Sequence, residues 1–112
     1  MEKMKVIFHI DEMEKWSLTL INVRNLLRDS EEEVEIEVLA NSSAVKGFTP
    51  DFELAHVITK QNGKGVKFGA CKNALEACDL GESDILEFVR VVPNSMVELI
   101  QKQREGFAYI RP

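Results

Sequence analysis

The sequence predicts an α/β fold built on a mostly parallel, five-stranded sheet with helices on both faces. Three observations lead there. Short apolar runs alternate with stretches of helical periodicity along the whole chain, in the order β-α-β-α-β-α-β-α-β, and such alternation implies right-handed crossovers. The first run, Val6-Ile7-Phe8, is continuously apolar, as in a strand buried on both faces. The chain has 112 residues, 45% of them hydrophobic and 29% charged, which fits one globular domain spanning residues 1–112 with a sizeable core.

The elements follow in order. After the first strand, Asp11-Glu12-Met13-Glu14 provides an acidic first turn, suited to the positive end of a helix dipole. Trp16, Leu20, Val23 and Leu27 then form a helical stripe that runs to about Asp29. Val34, Ile36 and Val38 alternate with glutamates and lead into Leu39-Ala40, a second strand. Asn41-Ser42-Ser43 is a polar break at its carboxyl end. Thr49 as N-cap and Pro50 at the first helical position open a second helix, which Gln61-Asn62-Gly63 closes. Val66, Phe68 and Ala70 make a third strand, and Asn73 to Cys78 a short helix. Phe88 to Val92 is a fourth strand ended by Pro93. Asn94 or Ser95 caps a last helix bearing Met96, Leu99 and Ile100, and Phe107 to Ile110 is the final strand.

Composition excludes several functions. The net charge of −5 argues against nucleic acid as the main partner, because phosphate binding needs a basic footprint. No run approaches the length of a membrane span. The early apolar stretch is too short for a signal peptide, so a reducing cytoplasm is expected, with both cysteines as free thiols. No dinucleotide fingerprint, phosphate loop or zinc-protease helix motif occurs, and neither a cofactor nor a metal is expected.

In open α/β sheets, ligands bind beyond the carboxyl ends of the strands. His9-Ile10-Asp11, Asn41-Ser42-Ser43, Ala70-Cys71-Lys72 and Pro93-Asn94-Ser95 reach that edge. Cys71 follows a strand and precedes a helix, so its sulfur is expected near the free N–H groups of Asn73 and Ala74, which lower a thiol pKa. Between Leu54 and Leu75 there is no acid, while Lys60, Lys64, Lys67 and Lys72 add positive charge. Position alone leaves two readings of Cys71 open: a reactive thiolate, or a small buried side chain at a tight turn. Cys78 lies seven residues on. Across a helix that is roughly 10.5 Å, too far for a disulfide, so Cys78 is expected to be a packed core thiol. His9 reads more readily as a strand-end residue than as a base, and His56 is given no role.

Phe68-Gly69-Ala70-Cys71-Lys72-Asn73-Ala74-Leu75 resembles the DsrE/DsrF-like sulfur-relay family. So do His9-Ile10, Trp16, Val38-Leu39-Ala40-Asn41, Val91 to Leu99 and the tail from Gln103 to Pro112. The resemblance implies a three-layer α/β/α fold and assembly into trimers or hexamers. It also implies a cysteine after the third strand that carries sulfur as a persulfide, a position on which Cys71 falls. The segment after it, Lys72-Asn73-Ala74-Leu75-Glu76, departs from the Ala-rich, Arg-containing pattern of the relay proteins proper. The expected site is thus Cys71 as the sulfur-bearing residue, with Lys72, Asn73, Asn41, Ser42 and His9 binding substrate. The expected function is an intracellular sulfur carrier or sulfurtransferase working between donor and acceptor proteins. The alternative is a non-enzymatic oligomeric module that binds a small ligand or a protein.

Overall fold

In the computed structural model, which describes residues 3–112, the predicted alternation is realised. The strands are β1 (Met4–Ile10), β2 (Val34–Ala40), β3 (Lys67–Cys71), β4 (Arg90–Val92) and β5 (Ala108–Ile110). The α-helices are α1 (Trp16–Asp29), α2 (Ala55–Gly63), α3 (Lys72–Ala77) and α4 (Ser95–Arg104). All pairings are parallel and the strand order is β4-β3-β2-β1-β5.

Strand order and crossover handedness together decide where the helices lie. From β1 to β4 the chain steps across the sheet in one direction, so α1, α2 and α3 fall on one face. The connection from β4 to β5 runs back across the whole sheet, which puts α4 on the other face. The two cores reflect this. The larger unites Val6, Phe8, Ile36, Val38, Phe68 and Ala70 with side chains of α1, α2 and α3. The smaller comprises Ile7, Leu39, Val92, Leu99 and Phe107, with α4 contributing Leu99.

Several boundaries differ from the sequence expectation, each for a local reason. The acidic turn is not the start of the first α-helix: Met13–Lys15 form a 3-10 turn and α1 begins at Trp16. Pro50 does not open α2. Phe52 N donates to Thr49 O (3.1 Å) and Ala55 N to Phe52 O (2.9 Å), successive tight turns that delay the helix to Ala55. Thr49 caps nothing there; its hydroxyl donates to Lys46 O at 3.0 Å. The stretch after Asn41 is not merely a loop, since Ser42–Phe48 is a 3-10 helix. The fourth strand is shorter than expected, because Val89 N turns back to Leu86 O before β4 begins. At the last helix the choice between caps resolves to Asn94, whose Oδ1 accepts from Met96 N (2.9 Å).

Trp16 explains the 3-10 segment. The indole is fully buried and its Nε1 donates to Ala44 O at 2.9 Å. Phe48 meets it edge-on at 5.1 Å between ring centroids. The ring lies flat against Gly47, where a Cβ would stand 2.1 Å from Nε1. Only glycine admits the indole, and the tight helix brings Ala44, Gly47 and Phe48 onto it together. Gly47→Ala is therefore expected to destabilise the fold by about 2–3 kcal/mol, since neither the buried ring nor the backbone can yield cheaply. A fall in the urea midpoint at unchanged slope checks this; an unchanged midpoint refutes it.

Beneath α4 lies a buried ionic group. Glu37 on β2 and Glu98 on α4 are both buried. Arg90 bonds Glu98 and lies 3.9 Å from Glu37, and Lys102 reaches Glu37 at 3.7 Å. Burial above all, and then the neighbouring Glu98 carboxylate, push the Glu37 carboxyl up from about 4.5 to about 7, against the pull of Lys102 and Arg90. A carboxyl raised in the folded state makes the unfolded chain the weaker proton binder. Its contribution is complete below the ordinary carboxyl range and declines as pH rises through about 7. Urea midpoints should accordingly fall as pH rises from about 4.5 to about 7 in the wild type and level off above, and Glu37→Gln should flatten that slope. A slope equally steep in the variant would contradict the assignment.

Candidate functional site at the carboxyl edge

The strand ends that the sequence brings to the carboxyl edge are β1 at Ile10, β2 at Ala40, β3 at Cys71 and β4 at Val92. After β3 the chain turns to the face of α3; after its neighbour β4 it turns to the opposite face, into α4. The connections diverge between these two strands, the position at which open α/β sheets receive ligands. Cys71, paired with Val92, borders it.

Cys71 is itself the N-cap of α3, and its side chain makes no capping hydrogen bond there. From the other side, α4 starts with Ser95, which offers its hydroxyl and its backbone N–H. Cys71 is only 5% exposed. Burial pushes the thiol up, but the Ser95 hydroxyl and the N–H groups of Ala74, Ser95 and Asn73 together hold it below the ordinary thiol value. Ser95, which sequence reasoning placed at the carboxyl edge and offered as a possible cap, is thus among the groups that lower the thiol. It lies 24 positions away, and only the β3–β4 pairing brings it there.

The other candidates sort themselves by position. Asn41 extends the β2 row beside Cys71, and its Nδ2 donates to Ser95 Oγ at 3.2 Å. Asn73 contributes its backbone N–H; its side chain is exposed. The Lys72 side chain is also exposed and is not among the groups acting on the sulfur. Ser42 turns the chain away from the edge with φ of 52°, and its carbonyl lies 4.0 Å from the Cys78 sulfur. His9 shares the sheet face of Cys71 but lies on β1. Its Nδ1 is 2.7 Å from the Tyr109 hydroxyl, and its Nε2 is buried without a partner.

The basic stretch does not surround Cys71. Lys67 starts β3 at the opposite edge of the sheet. Lys60 and Lys64 line a groove of about 820 Å³ between α1 and α2, with Arg24, Arg28 and His56. Linear neighbours separate here because an extended strand carries them to its two ends. The lowered thiol therefore owes its state to hydrogen bonds and helix amides. Cys78 ends α3 on the far side from Cys71, packed against the larger core, and both cysteines are free thiols. No described helix is long and apolar enough to cross a membrane.

The family model of the DsrE/DsrF-like family matches residues 5–112. Among solved structures, a protein of unknown function, MTH1491 from Methanobacterium thermoautotrophicum, is 40% identical with a TM-score of 0.92. The match covers 98% of this chain and 100% of that one. A conserved protein of unknown function, BT1422 from Bacteroides thetaiotaomicron, shares the fold at 15% identity and a TM-score of 0.78. That match covers 96% of this chain and 94% of the other. No curated protein matches the chain.

The site makes one chemical statement that can be measured directly. Limiting iodoacetamide should alkylate Cys71 before Cys78, and the Cys71 rate should stay high below the pH range of an ordinary thiol. Peptide mapping of the label gives the order; equal labelling, or Cys78 first, would refute the site.

Proposed function

The chain belongs to the DsrE/DsrF-like family, and from that premise we propose that it is a sulfur carrier that holds sulfane sulfur as a persulfide on Cys71. The observation that carries this reading is the place of Cys71, at the carboxyl end of β3 and the N-cap of α3, with a thiol that Ser95 and the N–H groups of Ala74 and Asn73 hold below its ordinary value. These donors suit an anionic sulfur better than a neutral thiol. In the loading step the Cys71 thiolate attacks the outer sulfur of a donor persulfide. A new S–S bond forms at Cys71, the donor's S–S bond breaks, and its electron pair leaves on the donor thiolate. Release is the mirror step: an acceptor thiolate attacks the outer sulfur and Cys71 departs as thiolate. Each exchange is balanced and needs no external oxidant. The same donors serve both steps, because the leaving Cys71 must again be stabilised as an anion. Asn41 and His9, with its unpartnered buried Nε2, provide the polar wall on the β2 and β1 side.

The carrier works as a homo-oligomer, a trimer or a hexamer, in the cytoplasm, exchanging sulfur with donor and acceptor proteins. Met96, Val97 and Ile100 are each about half exposed along α4, and Tyr109 and Ile110 of the edge strand β5 are exposed as well. This apolar surface supports association. The same surface supports the second reading, a binding module in which Cys71 is only a wall, because a nearly buried sulfur restricts reagents.

Persulfide loading separates the readings, and light scattering tests the assembly that both share. Incubation with a low-molecular-weight persulfide followed by intact mass should add one sulfur atom to the wild type and to Cys78→Ser, and none to Cys71→Ser. Addition that survives in Cys71→Ser, or no addition to the wild type, ends the carrier reading. Light scattering should give a whole-number multiple of the 12.7 kDa chain; a single-chain mass removes the assembly.

A further inference from the structure

Away from Cys71, bases gather on both sides of the groove between α1 and α2. Arg24 and Arg28 line it from α1, and His56, Lys60 and Lys64 from α2. Each row repeats every fourth residue. Four residues of helix advance about 6 Å, so each helix presents a ladder of bases to the groove. Between the ladders lie the half-buried Leu27 and Val57. Among the described residues no carboxylate pairs with Arg24, Lys60 or Lys64. Arg28 bonds its chain neighbour Asp29, and the acids of the adjoining cleft, Glu33 and Glu35, are held by Lys3. A chain of net charge −5 thus collects unpaired cations in one place. The helix dipoles account for Arg28 and Lys60, in the last turns of α1 and α2, but not for Arg24, a turn further in.

The groove continues past the bases. Arg24, Val57 and Gln61 also line a narrower cleft between the same helices, which Leu20, Ile21 and Leu54 make apolar. Ile21 is 41% exposed. Gln61, common to groove and cleft, is buried and ties the helices together: its Nε2 donates to Leu20 O at 2.9 Å, while its Oε1 has no partner. A buried acceptor left unpaired is costly unless a donor is supplied. A docked helix has no backbone N–H to spare along its length, whereas an extended peptide does. Its same-face side chains are about 6.6 Å apart, close to the step of the ladders. A nucleic acid would meet the charges and leave the apolar cleft unused.

We propose that the α1–α2 groove docks an extended acidic segment of a partner protein, with apolar side chains entering between the helices and carboxylates meeting the two rows of bases. The bases line the C-terminal half of α1, which returns to the edge where the strands begin, opposite Cys71. The proposal is therefore independent of the carrier reading. Fluorescence anisotropy of the full chain with a short synthetic peptide alternating glutamate and valine tests it. The wild type should bind this peptide, and its glutamine-for-glutamate counterpart about tenfold more weakly. Arg24→Glu combined with Lys60→Glu should cost about tenfold or more, the scale of two exposed ion pairs. Lys46→Glu combined with Arg104→Glu changes the net charge equally outside the groove and should stay within about twofold of the wild type. Ile21→Ser should weaken binding through the apolar cleft alone. Should the reversed pair not fold, Arg24→Gln with Lys60→Gln carries the comparison without new acids in the groove. No binding by the wild type, equal loss in groove and control variants, an unchanged affinity in Ile21→Ser, or tighter binding of a single-stranded oligonucleotide of matched charge overturns the proposal.

Discussion

The site depends on one helix lying alone on one face of the sheet. Three successive crossovers in one direction place α1, α2 and α3 together, and the return connection to β5 must then carry α4 across the opposite face. Because β4 is short and sits next to β3, α4 starts within reach of the end of β3. The reversal of direction is therefore the same event that delivers Ser95 to Cys71. Glu98 and Lys102 of α4, with Arg90 and Glu37 of the sheet, then fix how the helix sits on that face. A buried ionic group is a poor source of net stability, but it permits few alternative arrangements, and a helix that must hold Ser95 beside Cys71 benefits from that restriction.

At Cys71 two opposing effects are set against each other on a single atom. Burial disfavours the thiolate, and in an apolar surrounding it would leave an inert thiol. Here the Ser95 hydroxyl and the N–H groups of Ala74, Ser95 and Asn73 outweigh burial, and the thiol lies below its ordinary value. Backbone amides at helix starts have no intrahelical partner, so directing them at sulfur sacrifices no existing bond. α3 has six residues and a small dipole, so its effect on the thiol is the local one of the Asn73 and Ala74 N–H groups. The longer α4 brings the hydroxyl and a further amide from the opposite face.

How far the sequence revealed this depends on the range of each interaction. The fold class and the helix-strand alternation are written in short stretches of chain, and each could be read there. Ser95 could not be assigned to the sulfur, because its relation to Cys71 exists only once β3 and β4 pair. The lysines misled for the complementary reason: Lys67 and Lys72 are close in sequence, yet an extended strand sends them to opposite edges. Pro50 carried a helix-start signal that the turns from Thr49 to Ala55 overrode. Trp16 was legible as a helix residue, but not as the side chain around which Ala44, Gly47 and Phe48 wrap, since that needs a tertiary contact with a glycine.

The buried Ser95 and the exposed apolar residues Met96, Val97 and Ile100 lie on one helix, α4. Ser95, Glu98 and Leu99 face inward, while Met96, Val97 and Ile100 face outward on the same helix, half exposed. Any protein surface that covers the outward residues of the first turn comes to rest beside Ser95. Cys71 itself packs in the larger core with Ala74 and Leu75, so little of it is open to solvent. A bound copy or partner at α4 therefore acts on the sulfur through geometry, narrowing the approach. For a thiol whose anion is already stabilised by fixed donors, a narrowed approach selects among acceptors without altering the chemistry of exchange.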